Sequence, residues 1–144
     1  VTNVKLLSRE MTDVDAAEAA DMQIIAAAGI PRDVEVYEVN GPFFFGAAET
    51  FRNAIGGIAR KPRVLIIRVR HVPAIDASGI HALRTMLRRA RGDGVRVILS
   101  GAQPQLTAAL AQSGLLAEIG EADLAASLPD ALQRADQWTA KAPD

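Results

Sequence analysis

The twenty residues from Val64 to Leu83, VLIIRVRHVPAIDASGIHAL, constrain the fold more than any other stretch, because the hydrophobic period changes inside them. Val64, Leu65, Ile66, Ile67 and Val69 form a nearly continuous β-branched and apolar run, which is how a strand covered on both faces of a sheet reads. From Ile80 the apolar positions fall at Ile80, Leu83, Met86, Leu87 and Ala90, the spacing of one helix face. The turn between them, Asp76-Ala77-Ser78-Gly79, therefore lies at a strand's carboxyl end and a helix's amino end. Unpaired backbone N–H groups and the positive end of the helix dipole face outward there, and ligands of open α/β sheets tend to bind at such places.

The rest of the chain supplies elements of the same kind. Val34, Val36, Tyr37 and Val39 predict a strand, and Asn40-Gly41-Pro42 is expected to turn it into Phe43, Phe44 and Phe45 as a short hairpin. From Gly46, the positions Ala47, Phe51, Ala54, Ile55 and Ile58 predict a helix. After the Ile80 helix, Gly92-Asp93-Gly94 returns the chain into Val95, Val97, Ile98 and Leu99, a strand expected to lie parallel to the Val64 strand through a right-handed crossover. A helix over 103–112 follows, with Leu106, Ala109 and Leu110 inward and Gly114 as its stop. Leu115 to Gly120 has room for a very short last strand. Ser127, with Asp130 three residues on, resembles a capping box and opens a helix running to about Trp138, itself expected as a core or edge anchor. The order β-β-α-β-α-β-α-β-α specifies an α/β fold, a mixed and mostly parallel sheet with helices packed on it. Upstream, DVDAAEAADMQIIAAAG predicts a linker helix ended by Gly29 and Pro31, so residues 1–33 read as a leader and 139–144 as a disordered tail.

Composition excludes several functions. None of the 144 residues is cysteine, which removes disulfides, thiolate catalysis and cysteine-ligated metals. No apolar run approaches the ~20 residues that span a bilayer. The amino end, VTNVKLLSREMTD, lacks a signal peptide's apolar core. The first residue is Val1 and not Met, so the chain is expected to be a piece of a longer one. A net charge of −1 gives no reason to expect nucleic acid as a partner. The charge is nevertheless uneven, since ten of the sixteen basic residues lie between Arg60 and Arg96 with only Asp76 and Asp93 against them. Two readings stay open for the arginine-rich helix: a positive surface for an anionic neighbour, or a solvated face.

Candidate chemistry narrows to the turn. Neither GxGxxG nor GxxxxGK[ST] occurs. Asp76, Ser78 and His81 have the composition of a hydrolytic triad, but at one helix start they can hardly converge as orienter, nucleophile and base, so no catalytic residue is expected. His71, His81 and Asp76 are too few and too scattered to predict a metal site. Asp76 and Ser78 both suit helix capping, and Ser78, held by Gly79 at the positive helix end, equally suits phosphorylation or contact with an anion. Of the three consecutive phenylalanines, Phe43 to Phe45, strict alternation leaves Phe44 on the opposite face from Phe43 and Phe45. Phe44, with the solvent-facing His81, is the candidate partner surface.

VEVYEVNGPFFFGAAETF (Val34 to Phe51), followed by VLIIRVRHVPAIDASGIHAL, resembles the STAS domain at the cytoplasmic carboxyl end of SulP (SLC26-type) anion transporters, over roughly residues 30–138. GPFFFGA is the more discriminating segment, because the DxSG turn is shared with free-standing anti-sigma factor antagonists. In those the turn reads DSSG and a partner kinase phosphorylates its second serine; Ser78 holds that position here, with Ala77 before it. The resemblance implies a SpoIIAA-like fold over residues 34–138 and a leader, 1–33, that descends from a transmembrane part of the same polypeptide. It also implies a non-catalytic regulatory domain beneath an inner or plasma membrane, with sulfate or bicarbonate carried elsewhere in the protein. Expected partners are that transmembrane domain, a cytoplasmic protein or a second copy of the domain. No cofactor is expected beyond weak nucleotide binding, with phosphate contacts at Asp76 to Gly79 and at Arg84 and Arg88. The alternative is a free-standing antagonist switched by phosphorylation of Ser78.

Overall fold

The computed structural model describes residues 3–6, 29–43, 45–56 and 61–141. Five strands form one sheet in sequential order: β1 (Asn3–Leu6), β2 (Val34–Asn40), β3 (Val64–His71), β4 (Arg96–Ser100) and β5 (Leu124–Ala125). β1 is antiparallel to β2, and every other pairing is parallel. Between and after them come α1 (Phe45–Gly56), α2 (Ala77–Gly92), α3 (Pro104–Gln112), α4 (Leu115–Ile119), a single 3₁₀ turn (Glu121–Asp123) and α5 (Leu128–Lys141).

Alternation along β3 divides the core in two. Leu65, Ile67 and Val69 pack with Phe51 of α1, Leu83 and Leu87 of α2, Leu106 and Leu110 of α3 and Leu115 of α4. Val64 and Ile66 face the other way, onto Leu128, Ala131 and Ala135 of α5. The run read as a two-sided strand is therefore covered by four helices on one face and one on the other. At the large face the ring of Phe43 meets Phe51 edge-on, with centroids 5.2 Å apart and planes at 70°, a contact that adds about 1 kcal/mol to burial.

Four expectations are corrected. Phe43 does not fold back on β2 as a hairpin; it forms an isolated parallel bridge with Ile75. The antiparallel partner of β2 is β1, inside the stretch expected as leader, where four residues are too few for a period-two pattern to stand out. Leu115–Ile119 is a helix, bracketed by Gly114 and Gly120 at φ 83° and 87°, and its buried Leu115 and Ile119 stand four residues apart, as one helix face requires. The short last strand comes five residues later, at Leu124–Ala125. At the carboxyl end α5 continues to Lys141, beyond the 138 boundary. Trp138 is 42% exposed, and the Arg96 guanidinium lies 5.3 Å from its ring centre, so it anchors an edge and not the core. The expected linker helix lies outside the described residues.

Candidate functional site

The turn after β3 is built against a second segment remote in sequence. Gly41 N–H donates to His71 O (2.9 Å), Phe43 N–H to Ala74 O (2.9 Å) and Asp76 N–H to Phe43 O (3.4 Å). Gly41–Phe43 thus runs beside 71–76, and each satisfies backbone groups of the other that no strand would pair. A register shift between Glu38 and Asn40 precedes this alignment. Phe43, 1% exposed, is the floor on which α2 begins.

On that floor each turn residue has a distinct task. Asp76 is extended (φ −103°, ψ −177°), and its Oδ1 accepts from Gly79 N–H at 2.9 Å, the N-cap that the sequence allowed. Gly79 is fixed by packing: a Cβ there would overlap the Phe43 carbonyl oxygen and come within 2.6 Å of Ile75 Cγ1. Ser78 is half-buried at the second helical position, and its hydroxyl makes no hydrogen bond among the described residues. Two of the three positions are occupied with structural work, which leaves the Ser78 hydroxyl open to solvent chemistry at the positive helix end.

Arg84 and Arg88 are not drawn to this turn. Arg84 Nε lies 3.2 Å and Arg88 Nε 2.7 Å from the Glu118 carboxylate, and Arg84 Nη2 donates to Ser113 O at 2.8 Å. One turn further, Arg91 caps the carboxyl end of α4 through Glu118 O (2.8 Å) and Ile119 O (3.0 Å). Much of the basic face is therefore a clasp of α2 on α4. Hydrogen bonding from Arg88 chiefly outweighs the opposing effect of burial and, with help from Arg84, holds the Glu118 carboxyl below its ordinary range. His81 is exposed on α2, whereas Phe44 lies outside the described residues. Among the described residues no group of three His, Cys, Asp or Glu could hold a metal ion.

A second polar cluster was not anticipated. Glu38, Arg68 and Ser100 stand in register across β2, β3 and β4, on the α5 side, at 5%, 2% and 0% exposure. Arg68 Nη1 is 3.7 Å from Glu38 Oε1, and Glu38 Oε2 accepts from Asn40 Nδ2 at 3.3 Å. The available signal was Arg68 itself, a charge inside VLIIRV at the same parity as Val64 and Ile66.

The sequence profile of the STAS domain matches residues 25–131. The chain belongs to the STAS domain family. A sulfate transporter family protein from Wolinella succinogenes is 37% identical, over 78% of this chain and 92% of that one, with a TM-score of 0.74. The SulP transporter STAS domain from Vibrio cholerae is 34% identical, over 85% of this chain and 99% of that one, with a TM-score of 0.72. YvdB of Bacillus subtilis (strain 168), which carries a sulfate-transporter name, is 27% identical over 89 residues; this STAS domain spans 61% of its own length there but only 17% of YvdB. The anti-sigma factor antagonist SpoIIAA in its unphosphorylated form shares the fold, at a TM-score of 0.63 and 20% identity over 75% of this chain and 92% of that one. No helix among the described residues is long and apolar enough to cross a membrane.

Proposed function

We propose that this STAS domain is the cytoplasmic regulatory and interaction domain of a SulP-type membrane anion transporter, of the sulfate or bicarbonate class. In this reading it is joined to the transmembrane domain in one polypeptide and does no chemistry itself. Its working surface is the Asp76–Gly79 turn, where Ser78 offers a hydroxyl at a helix amino end to a partner, an anion, a nucleotide phosphate or a kinase. The observation that carries the reading is 34% identity over 85% of the chain with a SulP transporter STAS domain. Arg84 and Arg88 have their donors on Glu118, so a ligand at the turn would rely on the helix amino end and not on those guanidiniums.

The test is uptake of labelled sulfate and bicarbonate by cells expressing the complete gene, the gene lacking this domain, and Ser78→Asp. Loss of uptake on deletion, with uptake changed in Ser78→Asp, is the expected result. A complete gene that encodes no membrane spans would end the reading.

The second reading, a free-standing antagonist of an anti-sigma factor, draws on the shared fold and on the open Ser78 hydroxyl. It requires that Ser78→Asp abolish binding to the partner; unchanged binding would remove it.

A further inference from the structure

The carboxyl ends of β3 and β4 open, on the side away from the Asp76 turn, into a cavity of about 350 Å³. We propose that this cavity binds a small tetrahedral oxyanion, a sulfate or a phosphate group. Four observations converge on it.

The first is topological. After β4 the chain leaves to α3, whose Leu106 and Leu110 enter the large core; after the neighbouring parallel strand β5 it leaves to α5, whose Leu128 and Ala131 enter the small one. Two adjacent strands whose connections depart to opposite faces leave a crevice outside their carboxyl ends, and open α/β sheets bind ligands in that crevice. The cavity is lined from both connections, by Ser100 to Pro104 and by Ala126 to Leu128.

The second is charge. Arg68 and Arg70 line the cavity and no acidic residue does, although Glu38 lies 3.7 Å from Arg68 just behind the lining and offsets part of its charge. The third is the helix ends. α3 begins at the rim with no side chain capping it, and α5 begins opposite, with Ser127 Oγ accepting from Asp130 N–H at 3.2 Å and so keeping its own proton to donate.

The fourth points to a ligand directly. Ser100 is 0% exposed and lines the cavity, yet its hydroxyl has no hydrogen-bond partner among the described residues. A buried hydroxyl without a partner is destabilising, and a tetrahedral oxyanion would accept from it while also facing Arg68 and Arg70.

The experiment is an amide-resonance titration of the ¹⁵N-labelled chain with sodium sulfate, inorganic phosphate and glycerol 3-phosphate, against sodium chloride at matched ionic strength. Saturable shifts at Ser100 to Gln103 and at Ser127 and Leu128 are expected, weakened about tenfold in Ser100→Ala and again in Arg70→Ala. Ser100→Ala keeps the fold because its hydroxyl holds no partner, and its own amide spectrum reports this before titration. Equal affinity for the three oxyanions would identify a free ion as the ligand, and at least tenfold tighter binding of glycerol 3-phosphate a phosphomonoester; both support the proposal. It is overturned by unsaturable shifts, by shifts confined to the exposed arginines of α2, by chloride acting equally, or by affinity undiminished in Ser100→Ala. None of these results depends on whether the domain serves a transporter.

Discussion

The two polar regions at the carboxyl edge of the sheet are built in opposite ways. The Asp76–Gly79 turn is contiguous and its groups are largely spent: Asp76 caps α2, Gly79 lets α2 approach Phe43, and only the Ser78 hydroxyl is left over. The cavity on the other face is assembled from β3, β4 and the amino ends of α3 and α5, and it keeps a buried hydroxyl unspent. A surface meant for a macromolecule needs a rigid support and one accessible group. A site for a small ion, as proposed for the cavity, needs enclosure and a donor to spare, here the Ser100 hydroxyl.

Substituting a glycine at each region breaks the comparison most strongly. At Gly79 the obstacle is steric and lies in backbone, so Gly79→Ala is expected to cost about 3 kcal/mol in urea unfolding, as overpacking of a fixed contact does. At Gly101, at the cavity, the obstacle is conformational: φ is +76°, and a Cβ would lie 3.3 Å from Arg70 Cβ. Gly101→Ala should cost less, about 1–2 kcal/mol. The reverse order would mean that the cavity wall, and not the turn, is the rigid part.

How far each region was legible follows from its construction. Asp76, Ser78 and Gly79 are adjacent, so a change of hydrophobic period and a capping preference were enough to locate them. Their support was not legible, because Phe43 reaches Ile75 across 32 positions and its Asn-Gly-Pro neighbourhood also fits a hairpin. The cavity depends on strand register, and register is visible only once β2, β3 and β4 are paired. Arg68 and Ser100 lie 32 positions apart in the chain and side by side in the sheet. Likewise Arg84 and Arg88 carried a charge signal, while Glu118, the residue that claims it, sits on a five-residue helix with too little pattern to be read as one.

Truncating one polar group at each region sharpens the contrast. Asp76→Ala removes a cap in use and is expected to lower stability by about 1 kcal/mol, with Asp76→Asn largely restoring it. Ser100→Ala removes a hydroxyl not in use and should leave the unfolding midpoint unchanged or raise it, even though the residue is more deeply buried. A loss in Ser100→Ala as large as in Asp76→Ala would show that the hydroxyl has a protein partner, and the cavity would lose its one buried hydroxyl to spare.

The smallest expected effect is acidic and compares the helices that carry the two regions. Glu118 fastens α2, which begins at the turn; Asp130 fastens the start of α5, which borders the cavity, by accepting from Ala126 N–H at 3.1 Å and from Arg134. Hydrogen bonding lowers both carboxyls, from Arg88 first for Glu118 and from the Ala126 backbone first for Asp130, below ordinary values of 4.5 and 3.8. A carboxyl that is more acidic in the folded than in the unfolded state contributes its full stability above the unfolded value, and the contribution is lost as pH falls through the folded one. Neutral pH should therefore be flat, with stability declining below about pH 4.5 in wild type as the two carboxyls take up their protons. Glu118→Gln and Asp130→Asn are each expected to flatten part of that decline, modestly because both groups face solvent. If Glu118→Gln alone removed the whole decline, the clasp of α2 on α4 would be the sole acid-sensitive joint and the cavity face would be indifferent to pH.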